Sequence, residues 1–205
     1  MGMRILVPLM LIVAGCQSVP TEQRAPAAAV GCNLNLDFPR ESSIAQAGQV
    51  SITIDSQEIL HAAFKIDHVP SYKPLGPKQY PYMYDVVELF VSTSSKGMPY
   101  YEFELSPGSE TFQVLINPKF NNGVKMGMTG TAQVTPDGWT GEIVVPLKNL
   151  KGWTGNTNQL VGNAYAIVRQ DEKVRTYWSA FPFTRPQPAA NFHQPAFFRP
   201  LLKCN

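Results

Sequence analysis

The stretch whose reading decides the fold is residues 80–107, YPYMYDVVELFVSTSSKGMPYYEFELSP. Its first half alternates two faces, with Val87, Leu89 and Val91 on one and Tyr84, Val86, Glu88 and Phe90 on the other, which is the period-two pattern of a strand. Ser94-Ser95-Lys96-Gly97 then reads as a turn. Past it, Tyr101, Phe103 and Leu105 join the wholly apolar face, whereas Glu102, Glu104 and Ser106 fall on the face that carries Glu88. The segment is predicted to be a hairpin with one apolar side and one acidic, aromatic side.

The flanking segments repeat the strand pattern. Residues 50–54 set Val50, Ile52 and Ile54 against Ser51 and Thr53, and residues 59–69 read as a strand with Leu60, Ala62, Phe64 and Ile66 inward. Prolines crowd residues 70–81 and exclude regular structure there. Downstream, residues 111–117 alternate Phe112, Val114 and Ile116 with Thr111, Gln113 and Leu115, and Asn121-Asn122-Gly123 marks a turn. Residues 125–135 are weakly patterned. Pro136-Asp137-Gly138 is a strong turn before residues 139–147, where Trp139, Ile143, Val145 and Leu147 share a face and Pro146 belongs at a strand end. Residues 161–169 and 174–179 read as further strands, and residues 181–200 as a Pro- and Phe-rich loop. No segment carries a long 3.6-residue period, so any helix is a single turn near residues 146–150. Seven or eight short strands separated by turn signals predict an all-β protein, an antiparallel β-sandwich in a single domain.

The N-terminus reads differently. Arg4, an apolar run over residues 5–13 and Ala14-Gly15-Cys16 form a targeting segment, too short to span a bilayer as a mature helix. A cysteine directly after Ala-Gly has the form of a bacterial lipobox. Residues 1–15 are therefore expected to be a lipoprotein signal peptide and Cys16 the lipidated mature terminus. Residues 16–31, rich in Ser, Pro, Thr, Gln and Ala, form a flexible tether, and residues 32–205 the sandwich domain. Gln17 after the cysteine is what resembling Gram-negative lipoproteins carry when bound for the outer membrane. The expected location is the bacterial cell envelope, with the membrane engaged through the anchor only.

Removing Arg4 from the 17 Lys and Arg leaves 16 against 15 Asp and Glu. The mature chain is nearly neutral and has no basic stripe, which argues against a nucleic-acid partner. Cys32 and Cys204 bracket the domain, and an exported compartment is oxidising, so a disulfide is predicted to join the ends. In the chain-entropy picture so long a loop is worth roughly 4 to 5 kcal/mol.

The acidic face offers the first chemistry, because Glu88, Glu102 and Glu104 fall within one or two cross-strand spacings of one another. Paired carboxylates suit glycoside hydrolysis, hydrogen bonding to sugar hydroxyls, or a hard cation; for Glu102 and Glu104 the alternative is an ordinary solvated sheet face. His61, His68 and His193 lack metal-ligand spacing. There is no HExxH, CxxC, GxSxG or phosphate-cradling glycine pattern, which weighs against an enzyme. Met126 and Met128 could ligate a soft metal or haem iron, or simply fill space. Tyr72, Tyr80, Tyr82, Tyr84, Tyr100, Trp178 and Phe192 include rings at loop edges, of the kind that stack on pyranose C–H faces.

Taken together, residues 85–91, 101–107 and 138–147, then Trp178-Ser179, then His193-Gln194-Pro195-Ala196-Phe197-Phe198, resemble carbohydrate-binding modules of family 9 and the related DOMON-like domains. These motifs together cover roughly residues 59–202. The resemblance implies a β-sandwich in which a glucose or xylose unit is clamped between two aromatic rings. One ring precedes the strand glutamate by six positions, which makes it Tyr82 with Glu88. The other precedes the closing motif, which points to Phe192, with His193 beside it. A basic residue that such modules place in the next strand aligns with Glu104, and Arg199 replaces the glycine that usually follows the closing Phe. The acidic calcium positions of the family have no clear counterparts here.

The function expected on these grounds is a non-catalytic carbohydrate-binding lipoprotein that needs no cofactor and whose partner is a glucan, xylan or envelope glycan. Tyr82, Glu88, Glu104, Phe192 and His193 form its ligand site. The alternatives are a haem-binding electron-transfer domain with a methionine and a histidine as axial ligands, an envelope protein-interaction module and, weakest, a glycosidase.

Overall fold

A computed structural model describes residues 30–38, 47–121, 123–169, 175–182 and 193–204. The signal peptide, Cys16, nearly all of the tether and Phe192 lie outside these residues.

Twelve strands are present among the described residues. They are β1 (Val30–Leu36), β2 (Gly48–Ile54), β3 (Ile59–Ile66), β4 (Val86–Ser92), β5 (Tyr100–Leu105), β6 (Thr111–Asn117), β7 (Lys119–Asn121), β8 (Thr129–Thr135), β9 (Gly138–Pro146), β10 (Val161–Arg169), β11 (Arg175–Ser179) and β12 (Arg199–Pro200). Every pairing is antiparallel. A five-stranded sheet runs β1-β2-β3-β9-β8, and a seven-stranded sheet runs β11-β10-β4-β5-β6-β7 with β12 added on β10. Helix is confined to single 3-10 turns, one of them Leu147–Asn149, where the sequence places a turn.

The eight strands expected from alternation are all present. Four more are not announced by the pattern, and each has a physical reason. β8 is an edge strand, mostly exposed, held by its backbone ladder to β9 rather than by an apolar face. β7 and β12 are three and two residues long. β1 does alternate, burying Cys32, Leu34 and Leu36, but asparagines fill its other face and its sequence continues that of a polar tether.

The core between the sheets is built as the alternation dictates. Val50, Ile52, Leu60, Phe64 and Ile143 from one sheet meet Val87, Leu89, Val91, Phe103 and Leu105 from the other. Leu105 is seated against two glycines of the facing sheet: a Cβ on Gly130 would lie 2.8 Å from Leu105 Cδ1, and one on Gly141 would lie 2.9 Å from Leu105 Cδ2. The central strands depart from the expected half-buried hairpin. β4 and β5 are buried at every position, on both faces.

Two features tie the sheets together away from the core. Phe38, just past β1, exchanges backbone hydrogen bonds with Ser179 at the end of β11 (3.2 and 2.7 Å). Cys32 and Cys204 form the expected disulfide, spanning 172 residues with their Cα atoms 5.3 Å apart. None of the helices among the described residues is long and apolar enough to cross a membrane.

The disulfide yields a stability test. Replacing both cysteines (Cys32→Ser with Cys204→Ser) is expected to lower unfolding stability by about 3 to 5 kcal/mol in urea titration, a fall of roughly 10 °C in melting midpoint for a domain of this size. An unchanged midpoint would show that strand pairing alone holds the ends.

Candidate functional site

The outer face of the seven-stranded sheet is where the acidic and aromatic residues converge. Strand register places Glu88 opposite Glu104 and Phe90 opposite Glu102 across the β4–β5 ladder, and Tyr165 of β10 opposite Glu88 on the other side. Directly opposed residues share a face with Cβ atoms about 5 Å apart. Glu88, Glu102 and Glu104 each contribute a carboxylate oxygen, and these oxygens all lie within 4.8 Å of one another. This face is not solvated: Glu88 and Glu104 are 0% exposed and Glu102 5%. That corrects the solvated-face alternative for Glu102 and Glu104.

Beside the carboxylates lies an aromatic cluster centred on Phe90. Its ring centroid is 5.4 Å from Tyr100, 5.0 Å from Tyr165, 5.2 Å from His193 and 6.2 Å from Phe198. His193 Nδ1 is 2.8 Å from the Tyr100 hydroxyl and 3.8 Å from Glu102 Oε2. Burial lowers the His193 pKa to about 4, and burial, followed by the charges of Glu102 and Glu88, raises that of Tyr100. A protonated phenol beside a neutral imidazole lets the Tyr100 hydroxyl donate to Nδ1.

On the opposite flank the chain enters β4 through a 3-10 turn, Pro81–Met83. The Tyr82 backbone N–H donates to Glu104 Oε2 at 3.2 Å. The Tyr82 ring, 36% exposed, stacks on Tyr80 at 5.4 Å with 6° between planes and meets Phe112 edge-on at 6.3 Å. Tyr82 is thus half of a stacked pair at the rim. Asp85 holds this entry in place: it is buried, and its two oxygens accept the backbone N–H groups of Ser71 (2.9 Å) and Arg169 (2.6 Å). The carboxylate that opens the first motif is therefore a brace between the 70–81 loop and the end of β10.

A second brace holds the exit from β11. Buried Asn163 donates to the Phe181 carbonyl (3.0 Å) and accepts from the Phe181 and Ala164 N–H groups (3.0 and 2.9 Å). The Ser179 hydroxyl donates to the same carbonyl at 2.6 Å, which gives the Trp-Ser motif a structural meaning. Sequence patterning does not single out Asp85, Asn163 or Tyr165, because each owes its role to a partner 18 to 84 residues away or on a neighbouring strand.

The electrostatics of the acidic cluster follow from its burial. Loss of solvent pushes the Glu102 carboxyl up to about 7. Glu104 is raised well above the ordinary carboxylate range, first by burial and then by the charge of Glu88 and the proximity of Glu102, with the Tyr82 N–H opposing. The geometry brings together Tyr82, Glu88, Glu104 and, through Glu102, His193. Phe192 lies outside the described residues. Met126 and Met128 are buried between the sheets, whereas His193 packs on Phe90 on the outer face.

No protein-family model and no curated protein matches the chain. Solved structures do match. A protein from Bacteroides uniformis assumed to bind carbohydrate is 19% identical, covering 82% of this chain and 83% of its own, with a TM-score of 0.54. A family 9 carbohydrate-binding module from Caldicellulosiruptor kristjanssonii, in complex with glucose, is 13% identical over 80% of each chain, with a TM-score of 0.51. A structure of such a module from the same organism with cellotriose is 12% identical over 68% of each chain, with a TM-score of 0.48. At these identities the likeness establishes the fold, a β-sandwich like that of the family 9 modules.

The shifted carboxyls predict a pH dependence. A carboxyl whose folded pKa is raised holds its proton in the fold when the unfolded chain has lost it, so stability falls as pH rises from the ordinary carboxylate value through about 7. His193, lowered to about 4, works the other way: stability is lost as pH falls from about 6.5 through 4. The two effects oppose each other in mildly acidic solution, leaving the carboxyls alone above it. The melting midpoint should drop between about pH 6.5 and pH 8, and Glu102→Gln should flatten that slope in a thermal melt series.

Proposed function

We propose that this chain is a non-catalytic carbohydrate-binding protein of the bacterial cell envelope, carried on a lipid anchor at Cys16. The observation that carries the reading is the Tyr80–Tyr82 pair, stacked and partly exposed at the rim of a face whose floor is polar and aromatic. Amphipathic rings beside hydrogen-bonding groups match the two sides of a pyranose, an apolar C–H face and a belt of hydroxyls.

In this reading the exposed groups make the contact. The Tyr82 ring takes the sugar face and the partly exposed His193 a hydroxyl, with Phe192 as the second ring. Glu104 acts from beneath by fixing the Tyr82 backbone, and Glu88 lies in the same buried layer. Tyr82 is held by Glu104 and His193 by the Tyr100 hydroxyl, both on β5, so one strand sets both flanks of the site. The sandwich fold shared with a glucose-bound family 9 module supports the reading, as does the disulfide, which suits an exported protein. Glucan, xylan and envelope glycans are the ligand classes to screen, with no cofactor added. Residues 16–29 then serve as the spacer between the lipid-bearing cysteine and the folded domain.

Tyr82→Ala is expected to weaken retention on a glucan or xylan gel by at least about tenfold, the worth of one lost stacking contact, while the unfolding midpoint stays near that of the parent. Affinity electrophoresis and a glycan array read this directly. Retention that survives both Tyr82→Ala and Phe192→Ala would sink the reading.

A further inference from the structure

We propose that Glu88, Glu102 and Glu104 bind a hard divalent cation, calcium in preference to magnesium, at the centre of the outer face of the seven-stranded sheet. The proposal stands apart from the glycan reading and does not depend on it.

The spacing comes first. One oxygen from each residue lies within 4.8 Å of the others. Oxygens that close together can be bridged by one calcium ion, which binds oxygen at about 2.3 to 2.6 Å. Magnesium dehydrates reluctantly and usually keeps several waters, which suits it less well to groups this buried. The donors are all carboxylate oxygens, since His193 Nδ1 is engaged with the Tyr100 hydroxyl. An all-oxygen set selects calcium over zinc or copper.

The second observation concerns the oxygens themselves. Glu104 Oε1 and Glu102 Oε2 are buried, and no N–H or hydroxyl of the described residues reaches them; the two carboxyls lean on each other instead. Glu104 Oε2 is held by the Tyr82 N–H. Neither Glu102 nor Glu104 has a Lys or Arg partner among the described residues. A buried carboxylate oxygen that no N–H or hydroxyl reaches is costly, and a cation placed among the three carboxylates offsets that cost for Glu102 and Glu104. The enclosure also limits the ligand: groups 0 to 5% exposed admit neither a sugar ring nor an alkylammonium.

The test uses the full chain, stripped with EDTA and titrated with calcium chloride at about pH 8, where the carboxyls ionise most readily. Calorimetry should show one site. The melting midpoint should rise by roughly 5 to 10 °C when calcium is about 100-fold above its dissociation constant, and less with magnesium chloride. Glu104→Gln and Glu102→Gln should abolish the calcium response while keeping an unliganded midpoint equal to or above that of the parent, which verifies that they fold. Glu142→Gln, an acidic position on the other sheet, should keep the full response. The proposal is overturned if the parent shows neither heat nor a midpoint shift up to about 10 mM calcium, weaker than the range of extracellular calcium modules. It is equally overturned if both glutamine variants respond like the parent.

Discussion

Glu88 faces Glu104 across the β4–β5 ladder with both side chains fully buried, and much of this structure answers that one placement. Like charges directly opposite each other in a ladder repel, and burial removes the water that would screen them. Adding Glu102 two residues along the same strand compounds the charge. The neighbouring groups respond in kind: a backbone N–H is aimed at Glu104, the nearby imidazole stays neutral, and the carboxyls of Glu102 and Glu104 hold their protons to higher pH than an ordinary glutamate. These strands are also the most deeply buried in the protein, so the charge cannot escape by local fraying.

The surrounding fold is arranged to keep that face closed and its rim fixed. Asp85 ties the tyrosine-bearing loop to the end of β10, and Asn163 with Ser179 ties down the chain leaving β11. The disulfide and the Phe38–Ser179 bridge tie β1 of the facing sheet to the C-terminal segment and to the end of β11. Each brace is a buried polar group with its hydrogen bonds satisfied, the condition under which such groups rigidify a fold rather than weaken it. Tyr82 and His193 lie at either flank of the carboxylates.

This arrangement separates contact from support. The rings at the rim are accessible, whereas the carboxylates form a layer beneath them. A sandwich face can be retained while the chemistry at its centre changes, because the fold depends on the apolar side of the strands and the chemistry on the other side.

The apolar alternation in the sequence by itself determined the two-sheet sandwich, the inward set of each main strand and the acidic, aromatic side of the central hairpin, because period-two patterning assigns faces without reference to any partner. Oxidising chemistry and two bracketing cysteines were enough for the disulfide. Tertiary structure alone decided that the second face of β4 and β5 is buried too. That depends on the tyrosine loop that leads into β4, and on the His193 segment far downstream, lying over a face whose residues look suited to solvent. It also decided that Asp85 is a brace, that Tyr82 stacks on Tyr80, and that Met126 and Met128 belong to the core. Edge strands such as β8 were invisible for the complementary reason: they are held by backbone hydrogen bonds, which any sequence can make, and leave no pattern in the side chains.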